Sequence, residues 1–278
     1  MSIDTSAAAL ERTTELPPGR YSFADLLRSE WTKLRSVRSS WWTIGVTVLL
    51  GIGIGALVTA ETRAHWHSMD PFSIQGFDPT ATSLVGLFIC QFAIGILGAL
   101  VVSAEYSTGT IRATFSAAPH RSIVLAAKAT VYGFVALVVS EFVSFASFFL
   151  GQFLLSAPAT HATLSSPGAL RAVVGGGLFI CVLGLIAFGL ASIIRHTAGA
   201  ISAFVGVLLV LPLVVQALPN SLSLDVRKFL PDRIGVQMLT TNGNFFNAFS
   251  PWVGFGILCI YAFVLIAIGA ALMNRRDA

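Results

Sequence analysis

The sequence has few charged residues. Asp, Glu, Lys and Arg make up 11% of its 278 residues, whereas soluble domains contain roughly a quarter. Hydrophobic residues make up 55% of the chain, and its mean hydropathy is +0.81. Apolar runs recur from Trp41 to Met273, and no stretch between them is long and polar enough to fold separately. We therefore expect an all-α integral membrane protein with one membrane domain over 22–278, preceded by a flexible tail at 1–21.

Cysteine is also rare, and several motifs of enzymes are missing. Cys90, Cys181 and Cys259 lie far apart in apolar runs, which indicates packing side chains and no metal site. The isolated pair His65 and His67 is too weak a pattern to predict a metal. The sequence has no GxxxxGK[ST] phosphate-binding loop, no HExxH and no GxSxG. It is therefore not expected to be an enzyme, to hydrolyse ATP through a P-loop or to bind a cofactor.

Six apolar runs are long enough to cross a bilayer, which takes about 20 helical residues. They lie near 41–60, 82–103, 123–155, 170–193, 199–218 and 251–273. The third run is long enough to tilt, kink or project beyond the bilayer. Gly51 and Gly55 in the first run, and Gly175 to Gly177 in the fourth, predict close helix packing. The partner of Gly51 and Gly55 is either this chain or a second copy.

The basic residues are divided unequally between the two sides of these spans. If the N-terminus is inside, twelve of the 17 Lys and Arg residues lie inside and five outside. The positive-inside rule then predicts that both termini are cytoplasmic, in a multi-pass protein of the cell membrane. The basic residues that give the formal net charge of +4 are scattered between apolar runs. Their placement therefore indicates how the chain is oriented in the lipid bilayer. No nucleic-acid partner is expected.

Residues 22–38 have the pattern of an amphipathic helix before the first span. Ser22 with Asp25 three residues later resembles a capping pair. Basic residues occupy positions between the apolar ones. The apolar residues, at three- and four-residue spacing, are Phe23, Leu26, Leu27, Trp31, Leu34 and Val37. We expect this helix to lie in the cytoplasmic interface of the membrane.

The segment directly after the second span carries the most specific motif. It reads Glu105-Tyr106-Ser107-Thr108-Gly109-Thr110-Ile111-Arg112 and is followed by Pro119, His120 and Arg121. It resembles the cytoplasmic loop of ABC type-2 (ABC-2) transporter permeases, in which an acidic residue, Gly-Thr, a basic residue and a Pro-x-Arg ending recur between the second and third spans. The stretch from Ser29 to Ser36 is similar to the amphipathic N-terminal segment of the same family. With the six-span layout, the resemblance covers nearly the whole chain from about residue 22.

The resemblance implies an exporter permease that pairs with a second permease subunit, as a homodimer or a heterodimer. A separate ABC ATPase subunit would carry the ATP and Mg²⁺. The expected ATPase-coupling residues in the loop are Glu105, Tyr106, Gly109, Thr110, Arg112, Pro119 and Arg121. Those expected in the interfacial helix are Glu30, Trp31, Lys33 and Arg35. The alternative is an ordinary loop whose charges only mark orientation. The aliphatic and aromatic spans favour a hydrophobic or amphipathic substrate.

Glu141 lies within the third apolar run, where a central charge costs about 2.5–3.5 kcal/mol on insertion scales. It is either a proton-coupled or substrate-contacting residue in the translocation path, or it lies near the outer headgroups at the end of a long span.

Two other functions stay open. One is a gradient-driven secondary transporter or channel with Glu141 as its coupling group. The other is a membrane scaffold or sensor that transports nothing.

The loop between the fifth and sixth spans, at 219–250, is not simply a solvated one, since apolar residues recur along it. We expect short helices resting on the outer membrane surface. Such helices would form a lid over the exit of the transport path.

Overall fold

The computed structural model describes residues 22–111, 121–156, 159–241 and 248–275, without the side chains of residues 220 and 221. Within these ranges the chain is helical and contains no strand. The predicted tail at 1–21 lies outside the described residues. So do Arg112 and Pro119 of the predicted coupling loop.

Twelve α-helices lie in the described ranges. They are α1 (Phe23–Ser36), α2 (Arg38–Ala64), α3 (Pro71–Gln75), α4 (Pro79–Ser83), α5 (Leu87–Ser107), α6 (Arg121–Leu154), α7 (Ala169–Ile194), α8 (Thr197–Val205), α9 (Leu211–Gln216), α10 (Asn220–Arg227), α11 (Pro231–Leu239) and α12 (Pro251–Arg275). A π-helical turn at Gly206–Val210 joins α8 to α9, so that Thr197–Gln216 forms one continuous span.

Six helices are long and apolar enough to cross a membrane: α2, α5, α6, α7, the α8–α9 span and α12. This confirms the predicted all-α fold with six spans. The ends shift by a few residues, because helical hydrogen bonding continues beyond the apolar run at polar residues such as Arg38 and Ser107. The third span, α6, has 34 residues, a length of about 50 Å at 1.5 Å per residue. It is longer than the roughly 30 Å hydrocarbon layer requires.

The amphipathic helix α1 has a capped start and a sharply defined end. Ser22 caps its start, since the Ser22 hydroxyl accepts from Asp25 N–H and the Asp25 carboxylate accepts from Ser22 N–H. These two bonds form the predicted capping box. The Ser22 N–H and the Ser22 hydroxyl both donate to the Asp25 carboxylate, and these two donors lower the pKa of Asp25. At the other end, Val37 has an extended backbone that separates α1 from α2. The helix packs against α6 and α2.

Helix α7 is the centre of the bundle and packs against α5, α6, α8, α11 and α12. Its glycines allow this, because a Cβ on Gly175 would lie 2.7 Å from Met238 Cε and one on Gly177 would lie 2.5 Å from Glu141 Cδ. The close packing predicted for this glycine run is confirmed. Gly51 and Gly55 pack within the chain: their added Cβ atoms would lie 2.6 Å from Val143 and from Ser83 O, respectively.

The segment between the fifth and sixth spans forms α10 and α11, which confirms the predicted short helices. The expected surface position is wrong for α11, however. Gly235 lies against Phe179, whose Cζ would be 2.5 Å from an added Cβ. Phe179 is ten residues into α7, about 15 Å along that helix. The absence of a Cβ at Gly235 thus lets α11 insert between α7 and α12. Arg171 stabilises the insertion by donating to Gln237 O, Met238 O and Thr240 O.

Candidate functional site

Four charged side chains from three helices meet at the end of the bundle where α1 lies, which we call the α1 end. Lys33 Nζ on α1 lies 2.7 Å from Glu30 Oε1 and 3.0 Å from Glu105 Oε1 on α5. Lys128 Nζ on α6 lies 2.8 Å from Glu105 Oε1 and also bonds Glu30 Oε2. We call Glu30, Lys33, Glu105 and Lys128 the charge cluster. It joins α1, α5 and α6 by hydrogen-bonded ion pairs.

The charge cluster is largely removed from solvent. The side chains of Glu30 and Lys128 are each 6% exposed, that of Glu105 is 13% exposed and that of Lys33 is 40% exposed. Two carboxylates balance two ammonium groups, so the cluster carries no net charge in its ionised form. Burial disfavours the charged form of Lys33, but Glu30 and Glu105 outweigh that effect and raise its pKa. Within the described part of the chain, Glu105 Oε2 is buried without a hydrogen-bond partner.

A cavity of about 170 Å³ lies beside the charge cluster. All four cluster residues line it, together with apolar side chains such as Val37, between α1 and α2, and Leu97 of α5. Space next to buried charges lets side chains rearrange without opening the core. The cluster is therefore both tightly paired and adjacent to free volume.

Glu105 lies in the last turn of α5, where the predicted coupling loop begins. Thr108 caps this helix end by donating its hydroxyl to Ala104 O. Gly109 follows with φ at +73°, the left-handed conformation that ends many helices. Thr110 is exposed, and its hydroxyl lies 3.0 Å from that of Thr108. The described part of the loop is therefore a surface turn directly after a buried ion pair.

A second set of contacts at the α1 end joins the end of α5 to α7 and α12. The guanidinium of Arg195, between α7 and α8, lies 5.2 Å from the centre of the Tyr106 ring. It also donates to Leu272 O in the last turns of α12, at 3.1 Å. Arg121, the first residue of α6, donates to Met273 O at 3.0 Å. Cationic groups at a helix C-terminus are favourable because unpaired carbonyls point there.

Arg195 has an unusual backbone conformation. Its φ is 59°, the one positive value among the described residues other than glycine, and this conformation costs an L-residue roughly 1–2 kcal/mol. A glycine would adopt it freely. A glycine at this position would lack the contacts that the arginine side chain makes with Tyr106 and Leu272.

The other two predicted residues of α1 lie outside the charge cluster. Trp31 is exposed at its outer face and packs edge-on against Phe134 of α6, with ring centres 6.5 Å apart. The Arg35 side chain is exposed, while its carbonyl accepts from Trp41 Nε1 at 2.9 Å. These contacts fix α1 against α6 and against the start of α2.

Glu141 lies far from the charge cluster. It is thirteen residues from Lys128 and thirteen from Leu154 on α6, about 20 Å from each. This position midway along the span favours the membrane interior over the headgroup region. Its carboxyl group faces Gly177 of α7. In the described ranges, its buried Oε2 atom has no hydrogen-bond partner.

Sequence reasoning missed two residues of this region. Lys128 and Arg195 were counted only as charges that mark orientation. A lysine within an apolar run was the available signal for Lys128, since such a charge needs a partner. No pattern in the sequence indicates that Arg195 has a positive φ or that it contacts α12.

Comparison with protein families identifies the family of the chain. Residues 26–211 match the model of a family described as ABC-2 family transporter protein. The match begins in α1 and ends at the first residue of α9, so it includes the whole charge cluster and Glu141. No curated protein matches the chain.

Proposed function

Because the chain belongs to the ABC-2 transporter family and is a multi-pass membrane permease, we propose that it is the membrane subunit of an ATP-driven exporter. A separate ABC ATPase subunit binds and hydrolyses ATP with Mg²⁺. The permease pairs with a second permease subunit in the cell membrane. Its substrate is hydrophobic or amphipathic, in keeping with the apolar spans.

The observation that carries this proposal is the charge cluster directly before an exposed turn. A partner that pushes on Gly109 and Thr110 moves the end of α5. Since Glu105 is bonded to Lys33 and Lys128, α1 and α6 move with it. Buried, hydrogen-bonded ion pairs suit this role because they hold a fixed geometry between helices. The loop, α1 and two spans thus respond to the ATPase as one body.

The contacts of Arg195 and Arg121 extend this movement to the last span. Arg121 ends the predicted coupling loop and holds a carbonyl of α12. Arg195 connects Tyr106, next to Glu105, with another carbonyl of α12. A shift of the α5 end therefore reaches α7 and α12, a coupling through contiguous packed elements. The α1 end faces the cytoplasm, where the ATPase is located.

The first experiment tests the ATPase partner. The full chain carries a C-terminal tag and is extracted from its host in mild detergent, and co-purifying proteins are identified by mass spectrometry. One variant replaces the exposed residues Ser107 to Thr110 with a Gly-Ser linker of equal length. The matched control replaces the four exposed residues Asp70 to Ser73 at the other end of the bundle.

We expect a protein with a phosphate-binding loop to be recovered with the native chain and with the Asp70–Ser73 control. The Ser107–Thr110 variant should lose it. Recovery of no ATPase, or equal recovery with both variants, would contradict the proposed docking site.

A second candidate function is gradient-driven transport, and Glu141 is the observation that favours it. A carboxyl group midway along a span with an unpartnered oxygen is a group that can take up and release a proton. Sealed vesicles containing the purified chain separate the two functions. Uptake driven by a proton gradient without ATP would support the second candidate, whereas the first requires the ATPase and ATP. If neither condition drives transport, a scaffold role gains support.

A further inference from the structure

A second cavity lies away from the charge cluster. Its volume is about 620 Å³, and its walls come from α7, the α8–α9 span, the α10–α11 turn and α12. Apolar side chains form nearly all of the lining, among them Leu183, Phe204, Leu208, Leu230 and Leu265. An apolar cavity of ~150 Å³ already accommodates a benzene molecule. This one has room for a considerably longer hydrocarbon.

The cavity opens sideways, towards the surface that faces lipid. Leu211, Val226, Phe229, Ile260 and Val264 line it and also have exposed side chains. Three of its walls are membrane spans, so a bilayer around the chain would place hydrocarbon at this opening. Water has no polar partners along such a wall and does not fill it favourably. A lipid chain is the molecule that can enter from the side.

The backbone around the cavity is irregular in a way that creates this space. Val207 and Leu208 belong to the π-helical turn at Gly206–Val210, and Pro212 follows it. A π-turn widens a helix locally and is frequently found at functional sites. On the facing side, α10 folds back beside α9, so that Phe229 and Leu230 close the cavity at one end. Tyr261 holds this turn by donating to Phe229 O at 3.4 Å.

Cationic side chains lie next to the closed end. Lys228 and Arg233 line a shallow cleft beside the α10–α11 turn, together with polar groups such as Gln237 and Ser250. Lys228 Nζ also lies 3.2 Å from Asp225 Oδ1. Lys228 Nζ lies 5.6 Å from the centre of the Phe229 ring, which itself lines the cavity. Arg227, Lys228 and Arg233 outnumber Asp225 and Asp232 over this turn. The region therefore combines an apolar chamber with an adjacent excess of positive charge.

We propose that this cavity binds an anionic phospholipid of the bilayer, with an acyl chain between α7, the α8–α9 span and α12 and its phosphate at Lys228 and Arg233. The lipid is a resident component of the permease and not its cargo. It fills a volume that would otherwise leave three spans poorly packed. It also holds the α10–α11 turn against them.

Photo-cross-linking tests the position of the acyl chain. The full chain is reconstituted in vesicles that contain phosphatidylglycerol with a diazirine in its acyl chain. After irradiation, labelled peptides are mapped by mass spectrometry. We expect the label to concentrate on 204–215 and 260–265. Label spread evenly over all lipid-exposed helices, including α2, would overturn the proposal.

Variants with a larger side chain at the cavity provide the matched comparison for this labelling. Val264→Trp places an indole at the mouth, and Leu211→Trp does so from the opposite wall. Both residues are exposed, so the substitutions leave the protein core intact. Each should reduce labelling several-fold. Leu57→Trp, at an exposed position of α2 that is not part of this cavity, should leave it unchanged. Equal labelling of all three variants would contradict a specific site.

The headgroup is tested by exchanging lipids. The double variant Lys228→Gln and Arg233→Gln should lose the preference for the phosphatidylglycerol probe over a phosphatidylcholine probe, while Arg63→Gln should keep it. An unchanged preference in the double variant would overturn the phosphate site. Loss of label only during ATP hydrolysis by the partner subunit would show a transported molecule and overturn the resident role.

Discussion

Lys128 Nζ lies 2.8 Å from Glu105 Oε1. The two side chains belong to different membrane spans, and both are almost enclosed by protein. The same ammonium group bonds Glu30 of α1. Buried ion pairs do little for net stability, since desolvation offsets their attraction. What this arrangement provides is a fixed relation between α1, α5 and α6.

The first prediction concerns Lys128→Met. Methionine has a similar length but leaves Glu30 and Glu105 buried with Lys33 as their one remaining ammonium partner in the cluster. Removing one member of a buried pair costs about 3–5 kcal/mol. We expect the variant to unfold at a clearly lower temperature in detergent. The midpoint is measured by the loss of the monodisperse size-exclusion peak after heating.

Lys33→Met is the control for that measurement. Lys33 is 40% exposed, and Lys128 continues to pair with both carboxylates after its removal. Its effect on the midpoint should be distinctly smaller. Equal decreases of the thermal midpoint in the two lysine variants would show that burial does not determine how much each lysine contributes to stability.

The second prediction is that Glu105→Gln partly rescues Lys128→Met. Glutamine keeps the shape of the side chain and removes the carboxylate that the first substitution leaves uncompensated. Contacting residues typically show coupling energies of about 0.5–3 kcal/mol. In a cycle of the single and double variants, the double variant should lose less thermal midpoint than the sum of the two single losses. Additive effects would mean that the pair is not coupled in the membrane.

Much of the fold is readable from the sequence, but the charge cluster is not. A span needs about 20 apolar residues in a row, so hydropathy alone locates the six spans. Glu30 and Lys128 are 98 positions apart in the chain, and nothing local predicts that they meet. The apolar periodicity of α1 identifies the helix, yet Glu30 is the single buried residue of that fully described helix. Its ion pair with Lys128 on α6 explains its burial.

The segment after the fifth span shows the same limit. Its composition predicts short helices, but the insertion of α11 depends on Gly235 meeting Phe179. That contact joins two residues far apart in sequence and is decided by shape. Local sequence patterns predict the helices, whereas contacts between residues far apart in the chain determine where each helix lies.

The third prediction separates the backbone of Arg195 from its side chain. Arg195→Gly relieves a positive φ but loses the contacts with Tyr106 and Leu272. Arg195→Ala loses the same contacts and keeps the strained backbone, so the glycine variant should be the more stable by about 1 kcal/mol. Both variants should transport less substrate per ATP hydrolysed when reconstituted with the ATPase. Normal coupling in Arg195→Gly would show that the side chain has no part in it.

The fourth prediction concerns Glu141→Gln, which preserves the volume beside Gly177 and removes the charge. An uncharged amide is cheaper to hold in the middle of a span, where a charged residue costs about 2.5–3.5 kcal/mol. The thermal midpoint should therefore stay the same or rise. Transport should fall if the Glu141 carboxyl group contacts substrate or carries a proton.

Gly177→Ala tests the same site from the facing helix. An added Cβ would lie 2.5 Å from Glu141 Cδ, so the carboxyl group has to move while its charge is retained. A loss of transport in both variants would locate the functional group at this contact. If Glu141→Gln transports normally at every pH tested, the carboxylate has no role in the path. A defect in Gly177→Ala alone would then reflect the packing of α6 on α7, because only that variant adds an atom between the two helices.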